Sequence, residues 1–207
     1  EEERVLVFGD RDVDGITSTA VMVDTLRSLG IAAEWRVPEG NDPYGLTMDA
    51  VREFAAADGT LIITVDTGIT NVEEITAAAE AGIDTIVVDH HNPQDALPPA
   101  MAIINPKVGD GYPFDGLCAC AVTAKVRQAV AYGRTELYGQ PVTLVNARPT
   151  NDTIVVDAIL LENGIEADRI TEALVPGVAS LQTSRLQDFL VGRTLMCYDL
   201  PLQQKLL

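Results

Sequence analysis

Short apolar runs along the chain end in polar turns, and stretches with helical spacing follow them. Val5-Leu6-Val7-Phe8 leads into a polar turn, after which apolar residues recur at helical spacing from Ile16 to Leu29 and stop at Gly30. The unit returns with Leu61 to Val65 as a β-rich run, Val72 to Ala81 as a helix closed by Gly82, and Thr85 to Val88 as another buried strand. Between them Ala33 to Val37 reads as a strand and Thr47 to Ala57 as a helix. Strands alternating with helices of this length predict an α/β fold: an open, mostly parallel sheet with helices on both faces.

Beyond Ala102-Ile103-Ile104-Asn105-Pro106 the chain passes through a loop rich in Gly and Pro into a predicted helix from about Leu117 to Tyr132. The texture then changes. Val142 to Val145 and Thr153 to Val156 read as strands, Ile165 to Leu174 is mixed, and Arg185 to Leu190 looks helical. A boundary near Gly139-Gln140-Pro141 gives a domain over 1–139 and a segment over 140–207. That segment is either the end of the same domain or a separate or inserted α/β piece.

Of the 207 residues 47% are hydrophobic, enough for one substantial core or one core with a small appended lobe. With 31 acidic against 14 basic residues, the net charge is −17. Such a surface repels polyanions, so any nucleic-acid contact has to be local, metal-mediated, or supplied by a basic partner domain. Cys118, Cys120 and Cys197 are too few and too unevenly placed for a disulfide framework, and Cys118-x-Cys120 has no further Cys or His near it to complete a zinc site. No leader or long apolar span is present, so the expected setting is the reducing cytoplasm, without a membrane. Glu1-Glu2-Glu3 directly before a strand and Lys205-Leu206-Leu207 within an apolar-periodic stretch read as cuts through a longer protein. Nothing in the pattern specifies an oligomeric state.

Three predicted strand ends finish in acids or histidines: Gly9-Asp10-Arg11-Asp12-Val13-Asp14-Gly15, Asp66-Thr67-Gly68 and Asp89-His90-His91. In an open parallel sheet the carboxyl ends of neighbouring strands share one edge, so these groups can converge. Carboxylates suit Mg²⁺ and Mn²⁺, and imidazole shifts the preference toward Mn²⁺. Two such cations would activate a water and neutralise a phosphoryl group, which fits hydrolysis of a phosphate ester. A calcium loop starting at Asp10 is the competing reading, but its twelfth position would be Val21, with no acid beside it. A helix opening at Ile16 would aim free N–H groups where an anion sits, making Thr17 and Ser18 candidates for phosphate binding or for capping that helix.

Those three motifs, in this order and spacing, resemble the first three motifs of the DHH phosphoesterase superfamily. Pro43-Tyr44-Gly45-Leu46, Ile104-Asn105-Pro106-Lys107 and Tyr112-Pro113-Phe114 are similar to stretches of its RecJ-like, single-strand-specific exonucleases, and the likeness runs over roughly 4–132. It implies a metal-dependent hydrolase of DNA repair and recombination that cuts single-stranded DNA from a 5′ end, with two divalent cations, Mn²⁺ or Mg²⁺, and water as nucleophile. Carried over by position, Asp12 and Asp14 would each hold a metal, Asp66 would bridge the two, and His90 would be the imidazole ligand. Asp10 would be a further acid at the edge, Asp89 would orient His90, and His91 would contact the scissile phosphate or act as an acid. Lys107 would contact a phosphate.

The resemblance is incomplete in three places. The fourth motif's metal-binding acid has no clean copy, leaving Asp152 or Asp157 as candidates. The stretch from Thr153 onward is faintly similar to a proofreading-type exonuclease of the ribonuclease-H-like class, with Asp157-Ala158-Ile159 in place of its Asp-x-Glu, so 140–207 reads alternatively as a truncated, degenerate insertion. The C-terminal domain that grips single-stranded nucleic acid in this superfamily is absent. The same motifs are therefore also compatible with a DHH phosphodiesterase or pyrophosphatase acting on small nucleotides, or with a catalytically incomplete scaffold.

Overall fold

The computed structural model describes residues 3–40, 42–109, 112–177 and 184–206; Glu1, Glu2 and Leu207 lie outside them. The chain divides into two compact units, Glu1–Val130 and Ala131–Leu207. Among the described residues no helix is long and apolar enough to cross a membrane.

In the first unit β1 (Val5–Gly9), β2 (Ala33–Arg36), β3 (Leu61–Val65), β4 (Asp84–Val88) and β5 (Ala102–Ile104) form one sheet. Its order is β2-β1-β3-β4-β5, and every neighbouring pair is parallel. Alternation along β1 explains why its apolar run is unbroken. Leu6 and Phe8 enter a core with Val51, Phe54 and Ile75 from α2 (Met48–Ala56) and α3 (Val72–Glu80). Val5 and Val7 enter a second core with Met22, Leu26 and Val122 from α1 (Val13–Ser28) and α4 (Ala119–Gly133). Both faces are covered, so the central strands are mostly apolar; the exceptions, Thr64 on β3 and Thr85 on β4, bury hydroxyls that take no hydrogen bond.

Two boundaries differ from the sequence reading. The first helix starts at Val13 rather than Ile16, because the Asp12 side chain accepts the Gly15 N–H at 2.9 Å and caps it. Ala102–Ile104, read only as the approach to a loop, is the edge strand β5. Three half-buried residues are too few to show a period.

The second unit carries a four-stranded sheet of order β8-β7-β6-β9. β6 (Val142–Thr150), β7 (Thr153–Glu162) and β8 (Ile165–Leu174) are antiparallel neighbours, and β9 (Thr194–Met196) runs parallel to β6. The strands are longer than the apolar runs suggest, and the mixed stretch Ile165–Leu174 is a full strand. Asn151-Asp152 and Asn163-Gly164 make the two hairpin turns, with Asn151, Asn163 and Gly164 at positive φ as tight turns demand. Val145, Ala147, Val156, Ala158 and Ile170 pack the inner face against Leu186, beside α5 (Gln187–Leu190), and Leu206 of α6 (Leu200–Leu206).

Candidate metal centre

The sheet order reverses direction between β1 and β3. The helix after β1 packs in the Val5-Val7 core and the helix after β3 in the Leu6-Phe8 core, so the two connections diverge to opposite faces. A crevice opens where they part, at the carboxyl ends of the strands. Asp10 and Asp12 follow β1, Asp66 follows β3, and Asp89-His90-His91 follow β4.

Local structure aims each group. Gly15 packs so closely on the Asp10 backbone that a Cβ there would lie 2.4 Å from the Asp10 carbonyl oxygen, which folds the acidic loop back on the start of α1. The bond from the Gly15 N–H holds the Asp12 carboxyl below its usual range, despite some opposing desolvation. Asp10 is buried, and its Oδ1 takes no hydrogen bond. Asp66 adopts φ 60, a left-handed turn uncommon for a non-glycine residue, directly as β3 ends.

The two imidazoles are held differently, and one expectation is corrected. Asp89 does not orient His90. Its Oδ1 accepts from His91 Nδ1 at 2.8 Å and from both histidine backbone N–H groups, while Oδ2 accepts from the Ile69 N–H. His90 instead places Nδ1 3.0 Å from the Leu117 carbonyl, which can only accept. In the neutral ring each histidine therefore carries its proton on Nδ1 and presents a lone pair at Nε2. His90 Nε2 lies 3.2 Å from Asp66 Oδ1 and 3.8 Å from Asp14 Oδ2.

Two groups with metal-binding geometry result, one of Asp10, Asp12 and Asp66, the other of Asp66, His90 and His91, each with its donor atoms within 4.8 Å of one another. Asp66 is common to both. It is 1% exposed and neither of its oxygens takes a hydrogen bond. Burial, then the charges of Asp12 and Asp14, push its pKa up to about 8. A buried carboxylate facing imidazole lone pairs and other carboxylates is unfavourable without a proton or a cation among them. All the available donors are carboxylate oxygens and imidazole nitrogens, so the residues present fit Mn²⁺ or Mg²⁺.

Asp14 stands at the edge of this cluster, and the other expected site residues lie outside it. Asp14 belongs to neither group: its two oxygens accept the Ala119 and Cys120 N–H groups at 2.7 and 2.8 Å, fixing the start of α4. Ser18 is fully buried and cannot meet a phosphate from solvent, and the Thr17 hydroxyl donates to the Val13 carbonyl one turn back. Both follow from the helix starting at Val13. Asp152 sits in the β6–β7 turn. Asp157 accepts from Arg148 at 3.1 Å and from Thr171 at 2.7 Å, so its carboxylate is already satisfied, and neither acid belongs to the metal-binding groups. Lys107 lies beyond β5, its backbone N–H held by Asn105 Oδ1.

Three contributors were missed by sequence reasoning. Asn105, 7% exposed, donates from Nδ2 to the His91 carbonyl while Oδ1 takes the Lys107 N–H, linking β5 to the histidines. Tyr44 sets its hydroxyl 3.4 Å from His91 Nε2. Desolvation, with Asp10 and Asp66 nearby, raises its pKa to about 12, so the phenol stays protonated as a donor. Both residues lie in stretches whose likeness to the exonucleases was noted, which was the available signal. The Leu117 carbonyl has no sequence signal at all.

A family model described as "DHH family, N-terminal domain" matches residues 4–162. The single-stranded-DNA-specific exonuclease RecJ of Bacillus subtilis (strain 168) is 40% identical over 132 residues, covering 63% of this chain and 17% of that protein. RecJ of Escherichia coli (strain K12) is 43% identical over 125 residues, covering 59% and 22%. A crystal structure of exonuclease RecJ bound to manganese matches with a TM-score of 0.51 and 33% identity over 59% of this chain and 32% of that one. This chain thus spans roughly a fifth of the curated relatives' length.

Proposed function

We propose, from the premise that this chain belongs to the DHH family, that it carries the metal-dependent hydrolytic site of a single-stranded-DNA exonuclease working from a 5′ end. One observation supports the reading above all: carboxylates and imidazoles from three strand ends meet at the sheet's switch point around Asp66. Asp10, Asp12 and Asp66 would hold one divalent cation, and Asp66, His90 and His91 the other. When bound, such a pair lowers the pKa of a water and neutralises charge on a phosphoryl group.

The chain's own residues orient and restrict. The Leu117 carbonyl and Asp89 fix the proton of His90 and His91 on Nδ1, so both Nε2 atoms face inward as lone pairs. Neutral His91 accepts rather than donates, so the expected role as an acid requires its imidazolium form. Tyr44 can donate to His91 Nε2 or, once that atom is engaged, to substrate. Further grip on a long strand would come from a C-terminal domain of the full-length protein. The activity would serve DNA repair and recombination.

The test is Mn²⁺-dependent release of nucleotides from a 5′-labelled single strand by the full-length protein, with a duplex of the same sequence as control. Release from the single strand and little from the duplex is expected; no release from either sinks the reading.

Proton linkage gives an independent check. Asp66 keeps its proton to about pH 8 in the metal-free fold and must lose it to bind a cation. Calorimetry at about pH 6.5 in buffers of different ionisation enthalpy should therefore show up to one proton released through Asp66, with Mn²⁺ affinity rising toward pH 8. Heat independent of the buffer would contradict this. In the metal-free chain the folded state holds more protons between the ordinary value of 3.8 and about 8, so this group's contribution to stability falls as pH rises through that window.

A further inference from the structure

Arg11 stands between Asp10 and Asp12, yet its guanidinium turns away from both. Nη1 donates to the Gly40 carbonyl at 2.9 Å, on the loop between β2 and α2. Among the described residues it makes no ion pair, although Arg4, Arg36 and Arg127 each pair with an acid. It is exposed, with one of its five N–H donors engaged there. At the other end of the same sheet edge, Lys107 is positioned through Asn105, and its ammonium has no partner among the described residues. The two cations therefore bracket the acids: Arg11 follows β1 and is tied toward β2, while Lys107 follows β5.

β1 and β5 are three strand spacings apart, about 14 Å. Arg11 is tied on the β2 side, away from β5, so the two cations suit different phosphates of one strand. A metal site neutralises the phosphate being cut and does little for its neighbours, which a chain of net charge −17 would repel. A guanidinium fork held off its adjacent carboxylates is suited to such a neighbouring phosphate.

We infer that Arg11 and Lys107 hold the phosphates on either side of the scissile one, so that a strand runs along the carboxyl edge of the sheet from the β2–α2 loop to beyond β5. The inference rests on the nuclease reading and adds to it the direction of the strand and the residues that take its flanking phosphates.

The experiment measures KM of the full-length protein for a single-stranded oligonucleotide with Mn²⁺ across a range of salt. Arg11→Gln, which keeps a donor for the Gly40 carbonyl, should raise KM and lessen the dependence of log KM on log salt by about 0.7, the increment for one single-strand phosphate contact. Lys107→Gln should do the same, the double variant should lose about twice as much, and Arg11→Lys should retain the wild-type slope. On a dinucleotide with a single phosphodiester, which has no flanking phosphate, the rise in KM should be much smaller than on the long strand. A neutral methylphosphonate at the linkage facing Arg11 should weaken binding to wild type and leave Arg11→Gln unaffected. An unchanged slope in Arg11→Gln overturns the inference, as does a slope lost only together with Mn²⁺ binding, which would make Arg11 a support of the acidic loop. Failure of the wild-type protein to cleave any single strand overturns the nuclease reading instead.

Discussion

Asp66→Asn should reduce kcat/KM by at least about a thousandfold, a loss of about 4 kcal/mol of transition-state stabilisation, while making the metal-free protein more stable. The opposite signs come from one cause. Asp66 is buried, its oxygens accept no hydrogen bond, and it faces Asp12 and Asp14, so without a cation the fold must take up a proton there, which it keeps to about pH 8, or bury the charge. The amide needs no proton to stay neutral and removes that cost at nearly constant volume, and Asn tolerates the left-handed backbone at φ 60 better than Ala. A gain of about 1–2 kcal/mol in the metal-free state would raise Tm by a few degrees. Calorimetry with Mn²⁺ and thermal unfolding in chelator check the two halves separately. Full Mn²⁺ binding by the variant would remove Asp66 from the site, and a lowered metal-free Tm would show that its carboxylate is structurally satisfied.

Gly15→Ala should be strongly destabilising. The new Cβ would sit 2.4 Å from the Asp10 carbonyl oxygen and 2.7 Å from its Cα. Both are backbone atoms, so no rotamer change relieves the overlap, and the acidic loop must move away from α1. A destabilisation of about 3 kcal/mol is expected, together with weaker Mn²⁺ binding because Asp10 and Asp12 move with the loop. Gly133→Ala, where a methyl meets nothing within 4 Å, is the control and should be close to neutral. Urea unfolding of both variants decides it: equal midpoints would mean the loop yields without cost.

What the sequence made legible was whatever burial imposes. β1, β3 and β4 are covered on both faces, so they are dominated by apolar residues, with Thr64 and Thr85 the buried polar exceptions, and each run hands its acids or histidines to the same edge. β8 was obscure because Glu166, Asp168 and Arg169 are exposed and only Ile170 and Leu174 are buried, leaving too little alternation to read. The start of α1 was misplaced because Asp12 both caps the helix and faces the metal-binding group, and only the second role was read. The partner of Asp89 was misassigned for a different reason. His90 and His91 are adjacent in sequence and belong to one metal-binding group, and only the Leu117 carbonyl, contributed from just before α4, takes His90 Nδ1 and leaves Asp89 to His91.

The clasp of Asp14 by the first N–H groups of α4 joins residues 105 and 106 positions apart. A contact of that span closes late, after the loop entropy of nearly the whole first unit has been overcome. During synthesis, therefore, a nascent chain shows its acidic loop long before Ala119 is available to draw Asp14 and the histidine loop into register. The orientation of His90, which the Leu117 carbonyl sets from the same stretch of chain, is then acquired only as the first unit is completed.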